Sequence, residues 1–134
     1  MKNISNVQPT IFIIFGGTGD LNKRKLAPAL YNLFTESYMP NQFAIIGTGR
    51  TSFTDEQYQG VLLEGINQFS RNGKVKESKW DKFKSSIHYC SVDIGESRSF
   101  ENLKENINHY KQEFGPKTQV IFYLAVAPNY FPLI

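Results

Sequence analysis

Thr10-Ile-Phe-Ile-Ile-Phe-Gly-Gly-Thr-Gly-Asp-Leu-Asn-Lys-Arg-Lys25 decides the fold. Ile11 to Phe15 is an unbroken apolar run of β-branched and aromatic side chains. Such a run reads as a strand buried on both faces, as parallel strands are. Gly16, Gly17 and Gly19 follow at once. Glycines at this density allow a sharp turn and leave room for a bulky group to approach the backbone. A helix-compatible segment comes next. Its free N–H groups and the positive end of its dipole would face the turn, which suits a phosphate. Strand, glycine turn and helix together make a dinucleotide-binding opening. The alternative for the glycines alone is a structural turn without a ligand.

The spacing selects one variant of that opening. G-x-G-x-x-G from Gly16 requires glycine at 18 and 21, where Thr18 and Leu21 stand. The G-x-x-G form fits Gly16 and Gly19, with Asn22 where a third glycine would follow. A P-loop is excluded, because Lys23 is preceded by Asn22 and followed by Arg24.

Outward from this stretch, the chain alternates strands and helices. Leu26, Leu30 and Leu33 recur at helical spacing, and Pro28 places the start of the main helix near Ala27. Pro40 closes that segment. Phe43–Gly47 is a second strand and Thr48–Ser52 a polar loop. Thr54-Asp-Glu-Gln57 reads as a capping box. The helix it opens carries Tyr58, Val61, Leu62, Ile66 and Phe69 on one face and ends near Asn72-Gly73. Within the charged stretch Lys74–Ser86, Trp80 and Phe83 mark a short helix expected to lie on the outside. Ile87–Val92 is the third strand. Phe100, Leu103, Ile107, Tyr110 and Phe114 form a helical stripe stopped by Gly115-Pro116. Gln119–Ala127 is the fourth and most apolar strand.

This alternation predicts an α/β fold, a doubly wound Rossmann-type parallel sheet with strand order 3-2-1-4. Four strands are present, so the sheet is incomplete at the C-terminus, and the fourth strand would be an apolar edge. Residues 1–9 read as a loose polar tail and 10–134 as one truncated dinucleotide-binding domain.

The totals exclude several classes. The 134 residues carry a formal charge of +3, with basic and acidic residues interleaved, which gives no nucleic-acid footprint. One cysteine, Cys90, rules out an internal disulfide or a multi-cysteine metal site and is expected in the core. No secretory signal or membrane span is visible, so a reducing cytoplasmic setting without membrane contact is expected.

An NAD site ends its second strand with an acid that takes the ribose hydroxyls. Here that end reads Gly47-Thr-Gly-Arg-Thr-Ser52. Arg50 would pair bidentately with a 2′-phosphate, and Thr18, Thr51 and Ser52 offer hydroxyls, which favours NADP. The alternative is a solvated arginine on a loop. Asp93 and Ile94 stand where an adenine ring would lie, though Asp93 fits a turn or helix cap equally. Ala125–Pro128, including Ala127, either run beside the ribose and nicotinamide or simply end the strand. Lys23 and Lys25 either neutralise phosphates or are solvated.

At Phe15-Gly-Gly-Thr-Gly-Asp-Leu-Asn-Lys-Arg-Lys-Leu-Ala-Pro-Ala-Leu-Tyr-Asn-Leu33 the chain resembles the amino-terminal domain of the glucose-6-phosphate dehydrogenase family. The family pattern G-x-x-G-D-L-x-K-(R/K)-K-L-x-P runs from Gly16 to Pro28. Ala44-Ile-Ile-Gly-Thr-Gly-Arg50, Ser91-Val-Asp-Ile94 and Phe122-Tyr-Leu-Ala-Val-Ala-Pro128 are similar to its later segments. The resemblance implies that Gly16, Gly17, Thr18, Gly19, Asp20, Leu21, Asn22 and Lys23 wrap a pyrophosphate. It also implies that Thr18 and Arg50 hold the 2′-phosphate and that Lys25 sits near substrate and cofactor.

The implied reaction is hydride transfer from C1 of glucose 6-phosphate to NADP, the oxidative entry to the pentose phosphate pathway. The family's E-K-P and R-I-D-H-Y-L-G-K segments, the second of which brings its catalytic histidine, are not in these 134 residues. His88 and His109 match no catalytic position, and the fragment alone is expected to be inactive. A homo-oligomer is expected only through a carboxy-terminal domain. Two rivals stand beside this reading. A short-chain reductase needs Tyr-x-x-x-Lys, which none of the seven tyrosines offers. A non-catalytic NADP-sensing module would bind the dinucleotide as a complete small domain.

Overall fold

The computed structural model describes residues 8–16, 25–69, 75–93 and 95–124. Its elements run β1 (Thr10–Phe15), α1 (Ala27–Thr35), β2 (Phe43–Gly49), α2 (Asp55–Phe69), α3 (Glu77–Lys84), β3 (Ile87–Ser91), α4 (Phe100–Phe114) and β4 (Gln119–Leu124). The strands form one sheet in the order β3-β2-β1-β4, and every pairing is parallel. This is the expected order.

The apolar run at the amino end becomes a central strand because both of its faces are covered. Phe12 and Ile14 point into a core shared with Leu30 and Tyr31 of α1, Tyr58 and Leu62 of α2, and Trp80 and Phe83 of α3. Ile11, Ile13 and Phe15 point into a second core with Ile46, Cys90 and Leu103. Ile11, Ile13 and Ile14 are fully buried. At about 1.5–3 kcal/mol for each large apolar side chain, this strand anchors both layers.

Several local rules operate as the sequence indicates. Pro28 lies in the first turn of α1, where its missing N–H has no partner to lose. The Thr54 N–H donates to Gln57 Oε1 at 2.9 Å and the Gln57 N–H to Thr54 Oγ1 at 3.1 Å, closing the capping box that starts α2.

Other boundaries differ from expectation. α1 ends at Thr35, well before Pro40, because Ser37 takes a left-handed φ of 63° and the Tyr38 N–H reaches back to the Leu33 carbonyl. β2 runs through Thr48 and Gly49, both expected in a loop. Thr48 is buried and its hydroxyl donates to the Ile14 carbonyl at 3.2 Å, so this polar residue is satisfied inside the strand. β3 ends one residue early, at Ser91. α3 is not merely an outer helix. Trp80 and Phe83 are buried, and Phe83 meets Tyr31 edge-on at 5.3 Å. The α4 stripe buries only Leu103 fully, since an open cleft of about 460 Å³ separates the helix from Val120 and Phe122 of β4. Among the described residues, no helix is long and apolar enough to cross a membrane.

Candidate functional site

The parallel register sets the last residue of β1 between β2 and β4. Phe15 pairs with Thr48 on one side and Leu124 on the other. Gly16 therefore begins its turn beside the end of β2. Its φ of 80° is one that a side chain would resist, so glycine is required there.

Beyond Gly49 and Ser91 the chain opens a cleft of about 620 Å³ lined by Arg50, Thr51, Ser91, Asp93, Glu96 and Ser99. It lies at the carboxyl ends of β2 and β3, where open α/β sheets bind ligands. Arg50, Thr51 and Asp93, three residues singled out from the sequence, thus share one wall-to-wall space.

The β2 corner is tied to β3 residue by residue. The Val92 N–H donates to the Gly49 carbonyl at 2.9 Å. Ser91 Oγ donates to the Arg50 carbonyl at 3.4 Å, and the Tyr89 hydroxyl to the Thr51 carbonyl at 2.5 Å. Arg50 is exposed and makes no ion pair among the described residues. Its guanidinium has the donors for a bidentate anion contact.

Across the cleft, Asp93 acts as a turn residue. Its Oδ1 accepts the Gly95 N–H at 3.1 Å. Ser99 Oγ accepts the Asp93 N–H at 3.0 Å and lies 2.8 Å from the carbonyl oxygens of Asp93 and Glu96. Of the two readings of Asp93 left open by the sequence, the turn role is formed here. It commits one carboxylate oxygen.

Neither histidine lines this cleft. His88 Nδ1 lies 3.1 Å from Asp55 Oδ2, with its ring centroid 5.1 Å from that of Tyr110. His109 pairs with Glu113 along α4 at 3.8 Å. Burial pushes the Cys90 thiol above its usual range, against a smaller lowering by its hydrogen bond with Asn106. A protonated, buried thiol is a core residue and a poor nucleophile. No group of three metal-ligating side chains occurs among the described residues.

Lys25 is exposed just ahead of α1. Gly17, Thr18, Gly19, Asp20, Leu21, Asn22, Lys23, Ile94, Ala127 and Pro128 lie outside the described residues. Sequence reasoning missed Tyr89, Ser91, Glu96 and Ser99. The period of two in β3 places Tyr89 and Ser91 on one face, but only the strand order brings that face to the β2 corner.

A family model described as "Glucose-6-phosphate dehydrogenase, NAD binding domain" matches residues 13–134. The chain is 32% identical to a glucose-6-phosphate 1-dehydrogenase of Chlamydia muridarum, over 92% of this chain and 24% of that protein. It is 34% identical to those of Leuconostoc mesenteroides and Rhizobium meliloti, over 93% and 97% of this chain and 25% and 26% of theirs. A solved glucose-6-phosphate dehydrogenase in complex with its substrate glucose-6-phosphate superposes with a TM-score of 0.84 at 28% identity, covering 94% of this chain and 26% of that one. The chain spans about a quarter of the length of these relatives. It belongs to the glucose-6-phosphate dehydrogenase family and corresponds to that family's dinucleotide-binding domain.

Proposed function

We propose that this chain supplies the cofactor half of an enzyme that oxidises glucose 6-phosphate at C1 to the lactone, with hydride transfer to NADP. The observation that carries the choice of dinucleotide is the β2 corner. Where an NAD site places an acid, this chain places Arg50, without an ion-pair partner among the described residues, in a cleft with Thr51 and Asp93.

In this reading the Arg50 guanidinium and the Thr18 and Thr51 hydroxyls hold the 2′-phosphate. Gly16 to Lys23 wrap the pyrophosphate at the mouth of the helix that follows. Asp93 and Ile94 border the adenine, Ala127 and Pro128 the ribose and nicotinamide, and Lys25 the substrate. The bound nicotinamide accepts the hydride, and this chain orients and shields it. The base that takes the C1 hydroxyl proton belongs to parts of the longer relatives that this chain does not span. So does any contact that builds a homo-oligomer. The setting proposed is the cytoplasm.

Titration of the chain with NADP and with NAD, followed by amide NMR so that weak binding is measurable, tests this reading. NADP should bind about tenfold more tightly, and Arg50→Ala should erase the difference. Equal affinities in the unaltered chain would overturn the choice of NADP.

A further inference from the structure

Backbone pairing between β2 and β3 stops at Gly49, whose carbonyl accepts the Val92 N–H at 2.9 Å. The next two carbonyls, of Arg50 and Thr51, are not left to water. Side-chain hydroxyls of β3 take them in succession: Ser91 at 3.4 Å and Tyr89 at 2.5 Å. The shorter bond belongs to Tyr89, whose backbone and ring are both held in place. Its own N–H donates to Asp55 Oδ1 at 2.8 Å. Phe53 meets the ring edge-on at 5.3 Å, and Tyr58 packs against it at 5.0 Å.

Tyr58 can lie there because its neighbour on β2 is Gly47, which pairs with Tyr89. A Cβ on Gly47 would come within 2.1 Å of the Tyr58 ring. A rigid aromatic stack therefore presents one hydroxyl to the peptide that follows Arg50. Burial raises the Tyr89 phenol above its ordinary range, so it remains a donor at neutral pH.

We infer that Tyr89 is a positioning residue that sets the preference for a 2′-phosphorylated dinucleotide by fixing the Arg50–Thr51 corner. The inference rests on the reading of Arg50 as the phosphate contact. An arginine whose backbone is already placed loses less freedom when it grips an anion, so the gain appears only for ligands carrying that anion.

Tyr89→Phe keeps the ring and removes the hydroxyl. NADP affinity should fall about fivefold, the size of one hydrogen bond, while NAD affinity stays the same. In an Arg50→Ala background the same change should have no further effect on NADP. Ser91→Ala, acting through the longer bond, should lower the NADP-to-NAD ratio in the same direction by less. An equal fall for both dinucleotides, or no fall for NADP, would overturn the inference. If Arg50→Ala lowers the ratio and Tyr89→Phe does not, the positioning role fails and the phosphate contact stands. If Arg50→Ala leaves the ratio unchanged, the phosphate contact itself fails, and the positioning role falls with it.

Discussion

The two edges of the sheet are built differently. At β3 the outer backbone is capped by side chains of α2. Asp55 accepts the Tyr89 N–H at 2.8 Å, and Gln59 Nε2 donates to the Ile87 carbonyl at 3.0 Å. Ile87 and Cys90 are buried. At β4, Ile121, Phe122 and Leu124 are 36%, 50% and 38% exposed, and among the described residues no side chain caps the outer backbone. An edge strand with unpaired polar groups and apolar side chains invites another strand, and proteins close such edges or charge them. Among the described residues, β3 is a capped edge and β4 an uncapped one. The candidate site lies on the capped side, where the β2 corner leans on β3.

The largest expected effect tests the seat of α2, which does the closing. In Gly47→Ala the new methyl collides with the ring of Tyr58, which is fully buried. A loss of about 3 kcal/mol in urea unfolding is expected, together with loosening of the β3 edge. A loss within 0.5 kcal/mol, about that of an ordinary surface change, would mean that α2 is not pinned at this point.

Next in size is Asp55→Ala. It strips the cap from Tyr89, the partner from His88 and an acid from the first turn of α2. About 1–2 kcal/mol of stability should be lost, and the Tyr89 amide should exchange faster with solvent. Unchanged exchange at Tyr89 would show that the carboxylate does not guard the edge.

The smallest effect on stability is expected at the open edge. Ile121→Lys should change stability by less than about 1 kcal/mol, because a lysine stem can lie over the exposed site. It should still reduce self-association measured by sedimentation. Undiminished association would remove the contrast between the edges.

Most of the fold was legible because it rests on short-range pattern. The Ile11–Phe15 run, the Phe100–Phe114 stripe and the Thr54 capping box each announce an element locally, and the βα alternation then orders the strands. What escaped depends on pairs distant in sequence. Thr48 looks like a loop residue until its bond to Ile14 is seen, 34 positions away. Trp80 and Phe83 look like outer residues until α1 supplies Tyr31 and Phe34. Asp55 reads as a helix-start acid, and nothing nearby shows that it caps Tyr89, also 34 positions away. At the site, Arg50 was conspicuous by replacing an expected acid, whereas Tyr89 became visible only across the sheet.

The most direct test of the central claim, that Arg50 reads a 2′-phosphate in this cleft, is an amide NMR titration with 2′,5′-ADP and with 5′-AMP. 2′,5′-ADP should shift the amides of Arg50, Thr51 and Asp93, whereas 5′-AMP should leave Arg50 and Thr51 unmoved. The same shifts with both ligands, or shifts that bypass Arg50 altogether, would contradict it.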